Sequence, residues 1–433
     1  MRPLFLFTLL ALFTVNADAR AEIRSLYNDK SFEDWMKDVR HGSLKEQLLA
    51  MKGLVGYSKE TAQVIPLLRE QLKSSNAFTQ RQALESLVTI YNTVLEPHRL
   101  KTEDDCIAAM KDDPVTGAYG FERNATMKSL RLLTDALSHD DLVVRCFACQ
   151  GLQRIVGAPI MPHYRPHDMA EVARVVEIWR AQADICLQPL IQTTKSKNLF
   201  LAQKAIEALA CMSGYDNDVI QPAIPALVAA LKSGDKRIVF AASVAFWRIG
   251  KPALAAVPEL IEALKDDAES SESETWSSGI SPNGPARMII QALGSIGPAA
   301  KETTLPVIRS ALQHKDSAIR KAAGFSIEEV GGVPNAIDEL VAALGDSDLE
   351  IRQRAAYDLR LAGKDGTKAM PALIKALGDP YEGVRFSACC AVRDLAEFAA
   401  DAKPALKKCA EKDDFVRHVA QEALKKVEQL HPE

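Results

Sequence analysis

The residues best suited to metal chemistry lie in one short stretch, Met161 to Asp168. His163 and His167 are four positions apart, a spacing that places two imidazoles on one face of a helix, where they can share a transition metal. Pro166 stands between them and favours a loop instead. We therefore predict no metal site, and name His163, His167 and Asp168 as the residues that would hold an ion if this loop bound one.

Redox chemistry would use the eight cysteines, of which Cys146 and Cys149 form a Cys-x-x-Cys motif. No His follows the motif, which excludes covalent haem attachment, and the strand-helix-strand context of a thioredoxin-like site is missing. A redox role for this pair stays open beside a structural one. Cys106 is the thiol that we expect to be most accessible.

Recognisable catalytic motifs are missing from the sequence. It contains no nucleophile elbow, phosphate-binding glycine loop, paired-carboxylate motif or ordered set of Ser, His and Asp. We therefore predict no catalytic residue and no cofactor, and leave open whether the chain is an enzyme.

The elements that carry these residues recur with a fixed period. Pro225 and Pro258 open the same short motif 33 positions apart, and the equivalent positions Pro306, Asp338, Pro371 and Pro404 follow at intervals of 32, 33 and 33. Each motif predicts an apolar helix with Pro in its first turn, where the missing N–H is harmless. An Asp-containing turn and a second helix follow it.

The second helix of each unit has its own pattern. It begins at Ile319-Arg320, Ile351-Arg352 and Val384-Arg385, and each Arg is followed three residues later by Ala and seven later by a large apolar residue. This spacing places both on one helical face, where Ala permits close approach and the larger residue fills the core. The residues are Ala323, Ala355 and Ala388, followed by Ile327, Leu359 and Val392.

This pattern resembles the HEAT-like repeat family, in the short bacterial version of about 33 residues that is also found in phycobilin lyases. The signatures of ankyrin and tetratricopeptide repeats are missing. The resemblance implies an all-α fold, a right-handed α-solenoid (superhelix) of about ten helix-pair repeats. The units begin near Ser31, Ile65, Met127, Ile185, Ala223, Val257, Leu305, Ala336, Ala369 and Ala402.

The repeat also predicts where several cysteines lie. Cys409 falls at a first-helix position that is Ala in other units, and Cys149 and Cys389 share a second-helix position with Ser243, Gly324 and Ala356. Free Cys behaves as a small apolar residue. We expect these three thiols to be buried and structural.

The N-terminus reads as an export signal, with Arg2 followed by an apolar run from Leu4 to Val15 and small residues at Ala17 and Ala19. The run is shorter than the roughly 20 residues of a spanning helix. We predict a signal peptide at 1–19, a lead-in at 20–30 and a repeat solenoid at 31–433. The mature protein would be periplasmic or secreted, with no membrane span.

Three insertions interrupt the predicted repeats, at 92–126, 156–184 and 268–285. Loops inserted into repeat arrays often carry binding. In the second insertion, Tyr164 and Arg165 are candidate partner-binding residues. In the third, which is acidic and rich in Ser, we name Glu272, Glu274 and Trp276, although Trp276 would equally be explained as an incidental surface residue.

Charged residues recur as regularly as the apolar ones. An Arg recurs at the start of successive second helices with an Asp upstream of it, which predicts a structural ladder of ion pairs between repeats. The Arg residues are Arg145, Arg320, Arg352 and Arg385, and the acids are Asp141, Asp316, Asp348 and, less regularly, Asp379. Further basic residues on the later second helices would make the concave face locally positive and are candidate partner-binding residues, although a solvated face would also explain them. They are Lys321, Arg354, Arg360 and Arg393, and Lys425 and Lys426 add to the same positive charge.

Composition limits the function classes. The chain is 47% hydrophobic, which provides a large core, and its net charge of −4 opposes a dedicated nucleic-acid binder. We expect an exported, non-enzymatic scaffold that binds a protein or other macromolecular partner through its concave face and inserted loops. The alternatives are a tetrapyrrole-handling protein similar to phycobilin lyases, which export opposes, and a DNA-binding HEAT-like protein. The sequence does not indicate an oligomeric state.

Overall fold

The structure is a computed structural model that describes residues 30–57, 60–94, 127–157, 169–213, 217–269, 284–412 and 414–432. The predicted signal peptide and most of the predicted insertions lie outside these ranges. So do several candidate residues, namely Cys106, His163, Tyr164, Arg165, His167, Asp168, Glu272, Glu274 and Trp276.

The described residues contain helices and turns but no strand, and they form two compact units. The described residues up to Ala230 belong to the first unit. Apart from a four-residue helix at Asn217–Ile220, its helices are α1 (Phe32–His41), α2 (Leu44–Leu54), α3 (Thr61–Gln71), α4 (Ala77–Val94), α5 (Met127–Ala136), α6 (Leu142–Gly157), α7 (Met169–Thr193), α8 (Leu199–Cys211) and α9 (Ile224–Leu231), whose last residue begins the second unit.

The described residues from Leu231 onward form the second unit. Its helices are α10 (Lys236–Ile249), α11 (Val257–Glu269), α12 (Gly284–Ser295), α13 (Lys301–Ala311), α14 (Ser317–Glu329), α15 (Ile337–Ala343), α16 (Leu349–Asp358), α17 (Gly366–Ala376), α18 (Glu382–Asp394), α19 (Lys403–Lys412) and α20 (Asp414–Leu430). Short 3-10 helices, such as Val333–Asn335 and Ala396–Phe398, join one pair to the next.

Caps fix where many of these helices begin. Ser31 and Ser43 each accept a hydrogen bond from the backbone N–H three residues on, and the carboxylate of the acidic residue there accepts one from the backbone N–H of the cap. In the second unit, Asp235, Asp316 and Asp348 cap the second helices α10, α14 and α16. These contacts satisfy backbone donors that no helix can pair internally.

The proline motif places the helix start correctly in some repeats only. Pro225, Pro258 and Pro404 are the second residues of α9, α11 and α19, as predicted. In α3, α13 and α17, the prolines lie five residues inside the helix, so the predicted start is wrong. The carbonyls left without an N–H partner belong to the exposed residues Ala62, Glu302 and Thr367, where water can solvate them.

The repeats of the second unit stack mainly through their second helices. Each second helix packs against the next along the series α10, α12, α14, α16, α18 and α20. The predicted small positions Ala323, Ala355 and Ala388 are almost completely buried. The larger residues predicted seven positions after the Arg, Ile327, Leu359 and Val392, are completely buried. The predicted all-α stack of helix pairs is confirmed.

The first unit is built from the same helix pairs. α1 packs on α2, α3 on α4, α5 on α6 and α7 on α8. Its core includes Trp35, whose ring lies about 3.1 Å from where a side chain at Gly53 would begin. Residues 169–184 of the second predicted insertion belong to α7, which packs on α8 and α5. None of the described helices is both long and apolar enough to cross a membrane.

Candidate functional site

A ladder of ion pairs ties consecutive repeats of the second unit together. The guanidinium of Arg320, on α14, binds both carboxylate oxygens of Asp346 at 2.7 and 2.9 Å, and Arg352 binds those of Asp379 at 2.8 and 3.2 Å. Burial disfavours the charged form of both acids, but the hydrogen bonds from Arg hold the pKa of each below its usual value. The predicted ladder between repeats is confirmed for these two links, but the acid that Arg320 binds is Asp346, which the sequence pattern did not name.

The acids in this ladder have divided roles. Asp346 and Asp379 lie in the turn between the two helices of the next repeat and receive the Arg, whereas Asp348 caps α16. In the first unit, Asp141 pairs with Arg69 of α3 at 2.7 Å. The repeated Asp-Arg spacing therefore predicts a contact between repeats but not every partner.

Four of the predicted basic residues are paired with carboxylates. Lys321 lies 2.9 Å from both Asp348 and Glu350. The remaining pairs are Arg354 with Glu328 and Asp358, Arg360 with Asp394, and Arg393 with Asp394 and Glu422. These carboxylates balance the positive charge of the four residues.

A groove opens between α14 and α16, with a volume of about 330 Å³. Phe325 and Tyr357 line it from equivalent positions of consecutive second helices, and their side chains are 51% and 37% exposed. Gly324 lies on its wall, at the position where Ala356 is the equivalent residue on α16. A side chain at Gly324 would meet Cγ of Arg354 at 3.3 Å, so the missing side chain helps to leave this space open.

Cations and aromatic rings alternate along this groove. The guanidinium carbon of Arg354 lies 4.5 Å from the ring centre of Phe325 and 5.4 Å from that of Tyr357. The guanidinium of Arg360 lies 4.2 Å from the same Tyr357 ring. Such contacts hold the planar guanidinium groups in place and leave the exposed parts of both rings facing solvent.

Asp358 is the buried acid that holds Arg354 in this arrangement. Its side chain is completely buried, and Arg354 lies 2.9 Å from it. Burial raises the pKa of Asp358 to about 7, although the charge and hydrogen bond of Arg354 act in the opposite direction. The position of Arg354 therefore depends on one buried acid and on Glu328 of the preceding repeat.

Exposed aromatic residues continue onto the next second helices. Phe386 of α18 and Phe415 of α20 pack together with their ring centres 5.8 Å apart, and both are exposed. One aromatic side chain is thus exposed on each of α14, α16, α18 and α20. The row is not among the sequence predictions, although an aromatic residue stands six positions after both Ile319 and Ile351.

The described cysteines are buried or nearly so. Cys149, Cys389 and Cys409 lie in the core, as predicted, and the sulfur atoms of Cys389 and Cys409 are 3.9 Å apart. Burial raises the pKa of Cys146 and that of Cys186 to about 12. The Cys-x-x-Cys motif is thus inside α6, where its thiols resist ionisation. Among the described residues, no cluster of His, Cys, Asp and Glu could hold a metal ion.

A second polar cluster, half-buried around a buried ring, lies in the first unit. Arg81 of α4 donates a 2.6 Å hydrogen bond to Gln203 of α8 and pairs with Glu85 at 3.1 Å. Gln203 in turn donates to Glu207 at 2.6 Å, and Lys204 pairs with the same acid. Lys204 lies 5.2 Å from the buried ring of Phe200.

The sequence model of the HEAT-repeat family matches two overlapping stretches of this chain, residues 282–360 and 337–425. Residues 282–425 are HEAT repeats. The match includes the Asp-Arg ladder and the groove, and it confirms the family resemblance for this third of the chain. No curated protein resembles the sequence closely enough to count as a match.

Several solved structures resemble the chain at low identity. An engineered protein is 17% identical over 92% of this chain and 98% of its own, with a TM-score of 0.48. The complex of CpcE and CpcF, a phycocyanin lyase from Nostoc sp. PCC7120, is 21% identical over 71% of this chain and 96% of its own, with a TM-score of 0.36. Importin beta is 13% identical over 96% of this chain but only 60% of its own, with a TM-score of 0.49.

Proposed function

We propose that the protein is an exported, non-enzymatic scaffold that binds a protein partner through the exposed face of its second helices. The observation that carries this proposal is the groove between α14 and α16. Phe325 and Tyr357 remain exposed there, although the apolar residues of the surrounding core are buried. Large aromatic side chains with a polar rim are typical of binding surfaces.

The ion pairs around the groove support a binding role of this kind. Arg354 is held between two carboxylates and two rings, so its side chain is already ordered before a partner arrives. A preorganised surface loses less conformational entropy on binding. HEAT repeats are typical of proteins that act as interaction scaffolds, and each repeat adds a contact along an extended surface.

Capture of partners from the exported protein fraction tests the proposal. Three forms of the mature chain are immobilised. They are the unchanged chain, a groove variant that combines Phe325→Ala with Tyr357→Ala, and a control variant, Phe78→Ala. Phe78 is also an exposed aromatic residue, at 63%, but it lies on α4 and outside the groove. We expect the groove variant to lose the captured protein and the control to retain it. Equal capture by both would contradict a binding role for the groove.

Export and the inserted loops have tests of their own. N-terminal sequencing of the protein recovered outside the cytoplasm should begin at Arg20, and an intact Met1 in that fraction would contradict cleavage.

Deleting residues 269–279 should weaken capture if the third insertion contributes Glu272, Glu274 or Trp276 to binding. Unchanged capture would remove that loop from the proposed surface.

A further inference from the structure

Cys389 and Cys409 meet at the boundary between two consecutive repeats. Cys389 lies on α18, the second helix of one repeat, and Cys409 lies on α19, the first helix of the next. Their sulfur atoms are 3.9 Å apart, and both side chains are buried. Because the sulfurs of a disulfide are about 2.05 Å apart, the two side chains need to close a gap of about 1.9 Å. Rotation of both about their Cα–Cβ bonds can move the sulfurs by this amount.

Packing alone does not require cysteine at either position. In other repeats of the second unit, the positions equivalent to Cys389 and Cys409 hold pairs of small residues, all of them buried. These pairs are Ser243 with Ala263, Gly324 with Ala343, and Ala356 with Ala376. A small side chain of any kind therefore fills this place in the stack, and of these four pairs only Cys389 and Cys409 can form a covalent bond.

Oxidation of the pair would be a thiol–disulfide exchange, with a small-molecule or protein disulfide as the oxidant. The thiolate of one cysteine attacks a sulfur of the oxidant, breaks its S–S bond and releases one thiolate, which leaves a mixed disulfide. The thiolate of the second cysteine then attacks the sulfur of the first and releases the other thiolate. The two cysteines lose two electrons, the oxidant gains them, and the two cysteine protons pass to the released thiolates.

Burial determines when this exchange can occur. The contact with Cys409 and burial raise the pKa of Cys389, so the closed repeat disfavours the thiolate that the exchange needs. An oxidant must also reach sulfur atoms that the surrounding core encloses. Exchange therefore belongs to the folding of the chain, before the two sulfurs are enclosed, and the finished bond would then be protected from reductants.

We propose that Cys389 and Cys409 form a disulfide bond when the chain folds in an oxidising compartment, and that this bond fastens α19 to the repeat before it. The inference rests on the proposed function only for export, because disulfides form and persist outside the cytoplasm. The bond would join residues 20 positions apart and so restrict the unfolded chain, which raises the melting temperature of the folded one.

Refolding of the purified chain, residues 20–433, tests the inference. The chain is reduced, unfolded in urea, refolded with glutathione disulfide and glutathione, alkylated with iodoacetamide in urea, and digested with trypsin. Trypsin releases Cys389 and Cys390 in the peptide 386–393, and Cys409 in the peptide 409–412. We expect mass spectrometry to find these two peptides joined, with one alkylated cysteine remaining in the first.

Melting curves of oxidised and reduced chain measure what the bond contributes. The oxidised chain should melt at a temperature at least about 5 °C higher. Cys389→Ala and Cys409→Ala should each abolish this difference, and Ala is the residue found at equivalent positions of other repeats. Cys149→Ala is the matched control, because Cys149 has the equivalent position on α6, and it should keep both the joined peptides and the difference. Cys390→Ala should keep them too, since Cys390 is not the bonded residue.

Three results would overturn the inference. The first is alkylation of both Cys389 and Cys409 after refolding with the oxidant, and the second is a bond from Cys409 to Cys390 instead. The third is a joined pair whose melting temperature equals that of the reduced chain, because the bond would then not fasten α19.

Export is tested separately from the bond. If the joined peptides form on refolding but the protein is never recovered outside the cytoplasm, the inference on the pair stands and the export proposal fails. If protein recovered outside the cytoplasm has both cysteines alkylated, export stands and the disulfide fails.

Discussion

Two clusters in this protein combine cations, carboxylates and an aromatic ring, and they differ in their access to solvent. In the first unit, Arg81 and Lys204 lie over Phe200, and the ring is buried. In the second unit, Arg354 lies over Phe325, and half of that ring is exposed. Similar interactions therefore join helices in one unit and line an open groove in the other.

The difference comes from what surrounds each ring. Arg81 of α4 lies over Phe200 of α8 and donates a hydrogen bond to Gln203 of the same helix, so the packing of these two helices covers the first ring. α14 offers Gly324 beside Phe325, and the missing side chain leaves the second cluster open. Closed polar clusters contribute to stability and to the pairing of specific helices, whereas open ones remain available for binding.

The largest effect is expected from breaking the closed cluster. Arg81→Leu leaves the carboxylate of Glu85 without its Arg partner and removes the hydrogen bond to Gln203, so we expect a loss of about 3 kcal/mol in the free energy of unfolding. Urea denaturation measures this loss, and binding through the groove should not change. Arg393→Ala is the matched control, because its pair with Glu422 is solvent-exposed and should cost less than about 1 kcal/mol. Equal losses in both variants would mean that closure of the first cluster adds no stability.

The buried acid beneath the groove predicts an intermediate effect that depends on pH. The pKa of Asp358 is about 7 in the folded chain, well above its ordinary value, so the folded state holds a proton that the unfolded state has released. Its contribution to stability is therefore present at low pH and is lost as pH rises toward and through 7.

Asp358→Asn removes this titration while keeping the shape of the side chain. The unfolding free energy of the variant minus that of the wild type should increase by about 2 kcal/mol from pH 5 to pH 8, because only the wild type loses stability over this range. Urea denaturation at both pH values measures the difference, with Asp365→Asn as an exposed control. If the difference in unfolding free energy between wild type and variant does not change with pH, Asp358 does not titrate in this range.

The smallest effect separates stability from binding. Gly324→Ala removes the backbone freedom of a helical glycine, so it should stabilise α14 by about 0.5 to 1 kcal/mol, provided that Arg354 moves slightly to relieve its 3.3 Å contact. The same methyl group narrows the groove. We expect a higher melting temperature together with weaker capture of the partner, and unchanged capture would show that the wall at Gly324 is not part of the binding surface.

The periodic part of the fold could be predicted from the sequence because the same residue spacing recurs in each repeat. The positions of Ala323, Ala355 and Ala388 followed from one spacing rule, and so did the Asp-Arg ladder. Helix starts were less predictable, since α13 and α17 begin five residues before the proline that was expected to open them.

The groove could not be predicted in the same way. Counting only the basic residues suggested a positive surface, and the structure shows a carboxylate beside each of Lys321, Arg354, Arg360 and Arg393. Glu328 lies 26 residues from Arg354, one repeat earlier, so the pair depends on how neighbouring repeats are rotated. The candidates in the insertions, such as His163 and Trp276, remain predictions.

The Asp-Arg ladder also affects how such a chain can change length during evolution. Each link joins an Arg of one repeat to an Asp of the next, as Arg320 joins Asp346 and Arg352 joins Asp379. A duplicated repeat would carry both an acceptor for the repeat before it and a donor for the one after it. The new junctions would then be bonded from the start, so units can be gained or lost within this stretch without a fresh interface having to evolve.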